Sequence, residues 1–441
     1  MHPCTGTNPG RLPARSRGLA YPPRVPRLPT AVRSSVVAVI ALVVVSTAAP
    51  GAKAASPWVH DLDETVGGRN VSVAIGLDGA WLYRHGASKL RTPASNQKLL
   101  LSMALLQRSS LTTRIRTTVF AKGARANGVL HGMLWIVGRG DPTVDRAAMG
   151  ALARAIDGAG IRKVRGRVMG ATTGFVRDWW APGWRDYFPR DYIPLPTALT
   201  FEGNEDARGI HIRDPERRAA RALTNRLRAR GVRVTMDAGA GVPPTGLRLV
   251  ATVRSDPFQV LLGRMNRQSR NFHAEVLGKW LGGRVTRSAG SIAKGARAIE
   301  RFAEARGVSV VANDASGLSY RNRIRPLDLV KLLWYAETRP WGRALRGGLP
   351  TGDEGTLEDR LVGVRVRAKT GTLTEISALS GWVWLEREGA WGEFSIMSRG
   401  MSKSAAVAIE DRIVRIVTNR ASLGSARPSP PRRQGSPPQA S

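Results

Sequence analysis

Three short segments of this 441-residue chain carry side chains suited to catalysis, and they occur in a fixed order: Ser95-Asn96-Gln97-Lys98, then Ser269-Arg270-Asn271, then Lys369-Thr370-Gly371-Thr372. Singly the first two are weak signals; order and context give the set its weight. The chemistry they fit is acyl transfer. A serine hydroxyl attacks poorly until a base removes its proton. A lysine three positions on, in a helix, lies on the same face one turn away. Burial and a second cation, Lys369, both lower a lysine pKa, so Lys98 is expected to be neutral part of the time and to act as general base toward Ser95. Ser269 is then placed to relay a proton to a leaving amine, and Asn271 to hold a substrate amide. Lys369, with Thr370, Gly371 and Thr372, suits a substrate carboxylate. Backbone N–H groups of Ser95 and Thr372 are the expected oxyanion donors.

A second tetrad of the same spacing, Ser291-Ile292-Ala293-Lys294, lies after the Ser-x-Asn segment and so cannot head the ordered set. It follows Gly290 at the start of an amphipathic stretch, where Ser291 reads as a helix N-cap. Other chemistries lack their residues. There is no Gly-x-Ser-x-Gly elbow and no phosphate-loop signature. Six histidines without a His-Glu-x-x-His pair argue against a zinc hydrolase, and the single cysteine, Cys4, excludes a disulfide framework or a cysteine metal site. Neither a metal nor a cofactor is expected.

The elements that must position these groups are legible in outline. Residues 71–77 and 80–83, joined by Asp78-Gly79, read as a hairpin. Residues 95–107 follow Pro93 and are apolar nearly all round, which marks a buried helix. A mixed stretch follows, with strands at 134–137, 164–169 and 247–252 and helices at 146–159 and 216–230. Residues 258–265 and 272–281 read as a helical pair, and 291–306 as a helix ending at Gly307. Strands are expected at 362–368, 379–385 and 391–397, then a helix at 409–417.

The formal net charge is +35, from 68 basic and 33 acidic residues. Residues 1–54 hold seven basic and no acidic residues and 421–441 three and none, so 55–420 carries a net +25. Such a charge raises nucleic acid as a partner. The N-terminus argues otherwise. An Arg/Pro-rich stretch, an apolar run at 34–45 and a small-x-small site, Ala52-Lys53-Ala54, describe a Sec-type signal peptide. An exported protein meets wall or membrane, so anionic wall polymers or lipid headgroups are the expected polyanions and nucleic acid is not.

The quoted segments lie within longer stretches: Pro-Ala-Ser-Asn-Gln-Lys-Leu (93–99), Gly-Asp-Pro-Thr (140–143), Met-Asn-Arg-Gln-Ser-Arg-Asn-Phe-His-Ala-Glu (265–275), Asp-Ala-Ser-Gly-Leu-Ser (314–319), Leu-Pro-Thr-Gly-Asp-Glu-Gly-Thr-Leu (349–357) and Ala-Lys-Thr-Gly-Thr-Leu (368–373). Over roughly 56–418 the sequence resembles the serine D-alanyl-D-alanine carboxypeptidase/endopeptidases, the class C low-molecular-mass penicillin-binding proteins. The resemblance implies an α/β penicilloyl-serine transferase fold, β-lactamase/DD-peptidase-like, with extra domains inserted between the first two motifs. It also implies peptidoglycan stem peptides as substrate and β-lactams as acylating inhibitors. The expected division is 1–54 signal peptide, 55–119 and 251–420 catalytic domain, 120–250 insertion and 421–441 disordered tail. Two positions depart from the family pattern: Arg270, where Asp is usual, and Arg139, within a usual glycine run. Activity is expected to survive the first; the second, like Asp314 and Ser316, is expected in a structural loop or turn. A β-lactamase and a non-catalytic wall-binding scaffold are the alternatives.

Overall fold

A computed structural model describes residues 56–419. The expected signal peptide and C-terminal tail lie outside the described residues. In chain order the strands are β1 (Val71–Leu77), β2 (Ala80–His85), β3 (Arg116–Ala126), β4 (Val129–Val137), β5 (Lys163–Val164), β6 (Val168–Ala171), β7 (Arg233–Val234), β8 (Gly239–Gly241), β9 (Arg248–Arg254), β10 (Val366–Leu373), β11 (Ile376–Leu385) and β12 (Ala390–Arg399). The helices are α1 (Pro57–Val66), α2 (Gln97–Arg108), α3 (Arg146–Gly158), α4 (Phe188–Asp191), α5 (Pro215–Arg228), α6 (Phe258–Arg267), α7 (Asn271–Thr286), α8 (Ile292–Glu304), α9 (Pro326–Glu337), α10 (Gly342–Gly347) and α11 (Lys403–Asn419).

The first sheet has the order β10-β11-β12-β1-β2, antiparallel throughout. Its first hairpin closes through Asp78 and Gly79, both at positive φ, the turn that matches strand twist. Alternation sorts its two faces. Val71, Val73 and Ile75 of β1 meet Leu62 of α1 and Ile413 of α11 on one side. Ala378, Trp382 and Met397 face the helical core of α2, α6, α7, α8 and α9 on the other. Leu99, Leu100 and Leu101 are fully buried in that core, and burying one leucine so completely contributes about 2 kcal/mol. Helix α2 is therefore held on every side, and so is anything mounted on its first turn.

Between α2 and α6 the chain builds a second, seven-stranded sheet. It follows the order β7-β5-β4-β3-β9, with β6 on β4 and β8 on β6. Helices α3 and α5 cover its apolar face through Met149, Leu152, Leu223 and Leu227. Strand β3, absent from the sequence-based expectation, contains Lys122 and Arg125 and ends on an exposed polar run that blurs its period.

Two expectations need correction. The strand expected at 164–169 is broken, β5 ending at Val164 and β6 beginning at Val168. A strand at 362–368 is shifted: β10 begins at Val366 and runs through Leu373, carrying Lys369-Thr370-Gly371-Thr372 in its body. Pairing with β11 in unbroken register decides this, Lys369 opposite Ser380 and Thr372 opposite Ser377.

Candidate active site

Ser95 sits in a single 3-10 turn, Ala94–Asn96, and Lys98 one turn later in α2. Ala94 takes φ +46, a left-handed conformation that costs a non-glycine residue energy and bends the chain just before Ser95. The neighbours of the tetrad tie it down. Asn96 donates to Ser380 Oγ of β11 at 2.8 Å, and Gln97 to the Asp314 carbonyl at 3.2 Å. Gly317 is at φ +87, and a β-carbon there would collide with the Ala94 carbonyl. Gly371 plays the same part from β10: its β-carbon position is 3.0 Å from the Ser95 backbone nitrogen.

Lys98 is fully buried, and its Nζ has three neighbours: Ser95 Oγ at 3.0 Å, Asn271 Oδ1 at 2.9 Å and the Ser316 carbonyl at 2.6 Å. The last two can only accept. A neutral amine has two N–H groups and one lone pair, so it satisfies both acceptors and turns its lone pair to the Ser95 hydroxyl. Burial lowers the Lys98 pKa to about 7, against the upward pull of Asp314 and Glu275. The lowering is therefore desolvation. The like-charge effect falls chiefly on Lys369, which burial first and Lys98 second hold well below the usual lysine range.

Lys369 Nζ donates to Ser269 Oγ at 2.9 Å and to the Thr370 carbonyl at 2.8 Å. Ser269 also lies at positive φ, +54, in the corner between α6 and α7, and Asn271 opens α7. The ordered triple thus converges from three separate segments. Thr370 and Thr372 alternate with Lys369 on β10, so their side chains face the other way, and Thr370 donates to Thr356 Oγ1 at 2.7 Å. Thr372 is exposed and lines the cleft beside Ser95, and it offers backbone as well. The Ala368 N–H points away from β11, to the Pro350 carbonyl at 3.1 Å; two and four residues on, the N–H groups of Thr370 and Thr372 point off the same edge.

A family model for D-Ala-D-Ala carboxypeptidase 3 (S13) matches residues 59–205 and 193–420. The chain belongs to the D-Ala-D-Ala carboxypeptidase 3 (S13) family. It is 28% identical over 425 residues to D-alanyl-D-alanine carboxypeptidase of Actinomadura sp. (strain R39), covering 76% of this chain and 78% of that one. It is 29% identical over 413 residues to a carboxypeptidase of Mycobacterium tuberculosis, covering 86% of each. Penicillin-binding protein 4 of Haemophilus influenzae superposes with a TM-score of 0.72 at 19% identity, over 82% of this chain and 99% of that one. The fold is thus the α/β penicilloyl-serine transferase fold with an inserted domain.

In this S13 chain the ordered triple opens on a cleft of about 480 Å³ lined by Ser95, Ser269, Asn271 and Thr372. Its other wall comes from the insertion. Tyr187, Phe188 and Tyr192 stack edge-on around α4, and Asn271 Nδ2 donates to the Tyr192 carbonyl at 3.4 Å. Lys279, two turns beyond Asn271 on α7, holds this wall: buried, it donates to the carbonyls of Val176, Asp178 and Pro196 and pairs with Asp178 at 2.6 Å.

Sequence reasoning missed that wall, and it missed the 314–319 turn as a part of the site. Asp314 is a turn residue: it accepts from Trp184 Nε1 and from the backbone of Gly317 and Ser319. The turn also presents the Ser316 carbonyl to Lys98. Glu275, one turn beyond Asn271, accepts the N–H groups of Ala315 and Ser316 at 2.9 and 2.7 Å and so fixes that carbonyl. A Glu four positions after Asn was the available signal. Arg270 is exposed and turns to Gln268 Oε1 at 2.6 Å, away from the buried contacts. Arg139 is exposed beside a turn in which Asp141 accepts from the Thr143 backbone and hydroxyl.

Proposed function

We propose that this chain is an exported serine DD-peptidase that hydrolyses the terminal D-Ala-D-Ala bond of peptidoglycan stem peptides, and D-Ala cross-links between stems, and that penicillins acylate it. The observation that carries the reading is the Lys98 environment: a fully buried amine with two obligate acceptors and one serine hydroxyl. Ser95 Oγ attacks the carbonyl carbon of the scissile amide while its proton passes to Lys98 Nζ. The oxyanion is held by the backbone N–H groups of Ser95 and Thr372; losing one such donor typically costs about 100- to 1,000-fold in rate. The C–N bond breaks, the leaving amine takes a proton through Ser269, and D-Ala departs. Water then hydrolyses the acyl-serine ester. Asn271 orients the substrate amide. Lys369 regains its proton when the substrate carboxylate arrives, since an adjacent anion favours its charged form. Gly371 lets the substrate-binding strand β10 close on the Ser95 turn.

The catalytic domain in this reading is 55–119 with 251–420, and 120–250 is the insertion. Residues 1–54 act as the export signal; among the described residues no helix is long and apolar enough to cross a membrane. Arg217, Arg221 and Arg226 are exposed on α5 and serve retention on anionic wall polymers, which binding insensitive to salt would disprove. Intact mass spectrometry after exposure to benzylpenicillin tests the activity. A Ser95-linked adduct and release of D-Ala from a stem pentapeptide are expected; an unmodified wild type sinks the reading.

A further inference from the structure

At the far end of the first sheet from the catalytic cleft lies a second cavity, of about 650 Å³. Counting along β11 from Ile376 to Trp382, the two are separated by about 20 Å of strand. Asp78 of the β1–β2 turn, Trp334 and Glu337 of α9, Arg346 of α10, and Trp391 and Glu393 of β12 line it. In a chain with a net charge of +35, three carboxylates around one cavity are unexpected.

Their partners are unequally shared. Arg346 pairs with Glu337 and lies over the Trp391 ring, 4.9 Å from its centroid. Glu393 is left over. It is only 3% exposed, yet its Oε2 has no hydrogen-bond partner, and neither has the buried indole N–H of Trp334. The indole N–H lies beside the carboxylate without a well-formed bond to it; buried polar atoms are nearly always satisfied, so a carboxylate with so weak a partner has acceptor capacity free for a further donor. Burial pushes Glu393 up to about 8 against the pull of its own backbone and of the Trp334 indole, and the Glu337 and Asp78 carboxylates add the smallest contributions upward. The Trp334 seat is built for this ring: a β-carbon on Gly76 of β1 would collide with it.

The walls choose the ligand. A divalent metal needs several convergent oxygens, and among the described residues no group of three or more His, Cys, Asp or Glu is arranged to hold one. Aromatic faces beside a single buried carboxylate suit an organic cation, which gains from both. We propose that this cavity binds a primary ammonium group on an aliphatic stem, with Glu393 as counter-ion and Trp334 and Trp391 as walls. Arg346 on Trp391 already shows a cation taking that kind of seat. The proposal is independent of the activity of Ser95.

The test is a titration of the whole protein at pH 8.5 with N-acetyl-lysine methylamide, followed by tryptophan fluorescence, with N-acetyl-norleucine methylamide as the uncharged control. Saturable binding of the lysine amide is expected, about tenfold or more tighter than that of the control. Glu393→Gln should weaken it about tenfold and leave penicillin labelling of Ser95 unchanged. Asp78→Asn, at an exposed positive-φ turn that Asn tolerates, should weaken it two- to threefold, roughly what a screened charge contributes. No saturable binding, equal binding of the two amides, or full affinity in Glu393→Gln overturns the proposal.

Discussion

Two Ser-x-x-Lys tetrads, one at the start of α2 and one at the start of α8, share a spacing and nothing else. At α2, Lys98 is fully buried and its amine touches Ser95, Asn271 and the Ser316 carbonyl. At α8, the Lys294 side chain turns outward to Ser288 Oγ and the Ala289 carbonyl, both exposed contacts, while Ser291 Oγ accepts the Lys294 backbone N–H at 3.1 Å. Ser291 is extended at φ −137 and caps its helix, whereas the residue before Ser95 is forced to a positive φ. The i,i+3 spacing supplies reach alone. Desolvation and partners from segments more than 170 residues away give one tetrad a buried amine against its serine, the arrangement the proposed mechanism uses; their absence leaves the other a cap.

The comparison can be broken most directly at the two serines. Ser95→Ala should abolish the penicillin adduct altogether, while Ser291→Ala should label fully; a labelled Ser95→Ala protein would reverse the assignment. Next come the lysines. Lys98→Ala should slow acylation by about 100- to 10,000-fold, the usual range for a positioned general base, and Lys294→Ala should leave the second-order rate constant within experimental error.

The buried amine also sets a pH dependence. Lys98 is protonated below its pKa of about 7 and free above it, so the acylation rate should climb through pH 7 and level off above about 8. A rate that is flat from pH 5.5 to 8.5 would show that desolvation of Lys98 is not what activates Ser95.

Glu275 offers a subtler test, as a positioning residue. Its carboxyl is pushed up to about 8, by burial first and by Asp314 second. The folded state therefore keeps a proton that the unfolded chain, with an ordinary Glu pKa of about 4.3, has lost. That stabilising difference is present below the unfolded pKa and lost as pH rises through about 8. Glu275→Gln should flatten the decline in thermal midpoint across this window. At the Lys98 midpoint, about pH 7, the Glu275 carboxyl is still mostly protonated, so the acylation profile of Glu275→Gln should be unchanged below about pH 8. A thermal midpoint that falls as steeply as in the wild type would reduce Glu275 to packing. The smallest effect belongs to the second tetrad: Ser291→Ala should cost about 1 kcal/mol in a denaturant titration, the usual value of an N-cap, with catalysis untouched.

Much of the catalytic half was legible because its elements obey local rules. Asp78-Gly79 demanded a hairpin turn, and the apolar run 99–106 demanded a helix buried on all sides. The order of the three motifs named the groups that meet. The insertion was less legible. Strand β3 loses its period in an exposed polar run, and β5 and β7 are two residues each, too short to leave a pattern. Residues 172–187 and 192–201 have little regular structure, yet they deliver Tyr187 and Tyr192 to the cleft under the hold of Lys279 on carbonyl groups. Backbone acceptors have no signature in side-chain identity.

By itself the sequence determined the candidate residues, the order in which they are presented and the class of chemistry they suit, because hydroxyl, amine and amide side chains carry those properties wherever they stand. Motif order already set the first Ser-x-x-Lys apart from the second; only the tertiary structure buried Lys98 and left Lys294 on the surface. It aimed the Thr372 N–H off a sheet edge by strand parity, and it placed the Ser316 carbonyl where it fills the third position on Lys98. Burial and backbone direction are properties of the folded neighbourhood: a lysine pKa and a lone-pair direction depend on atoms that only folding brings within 3 Å.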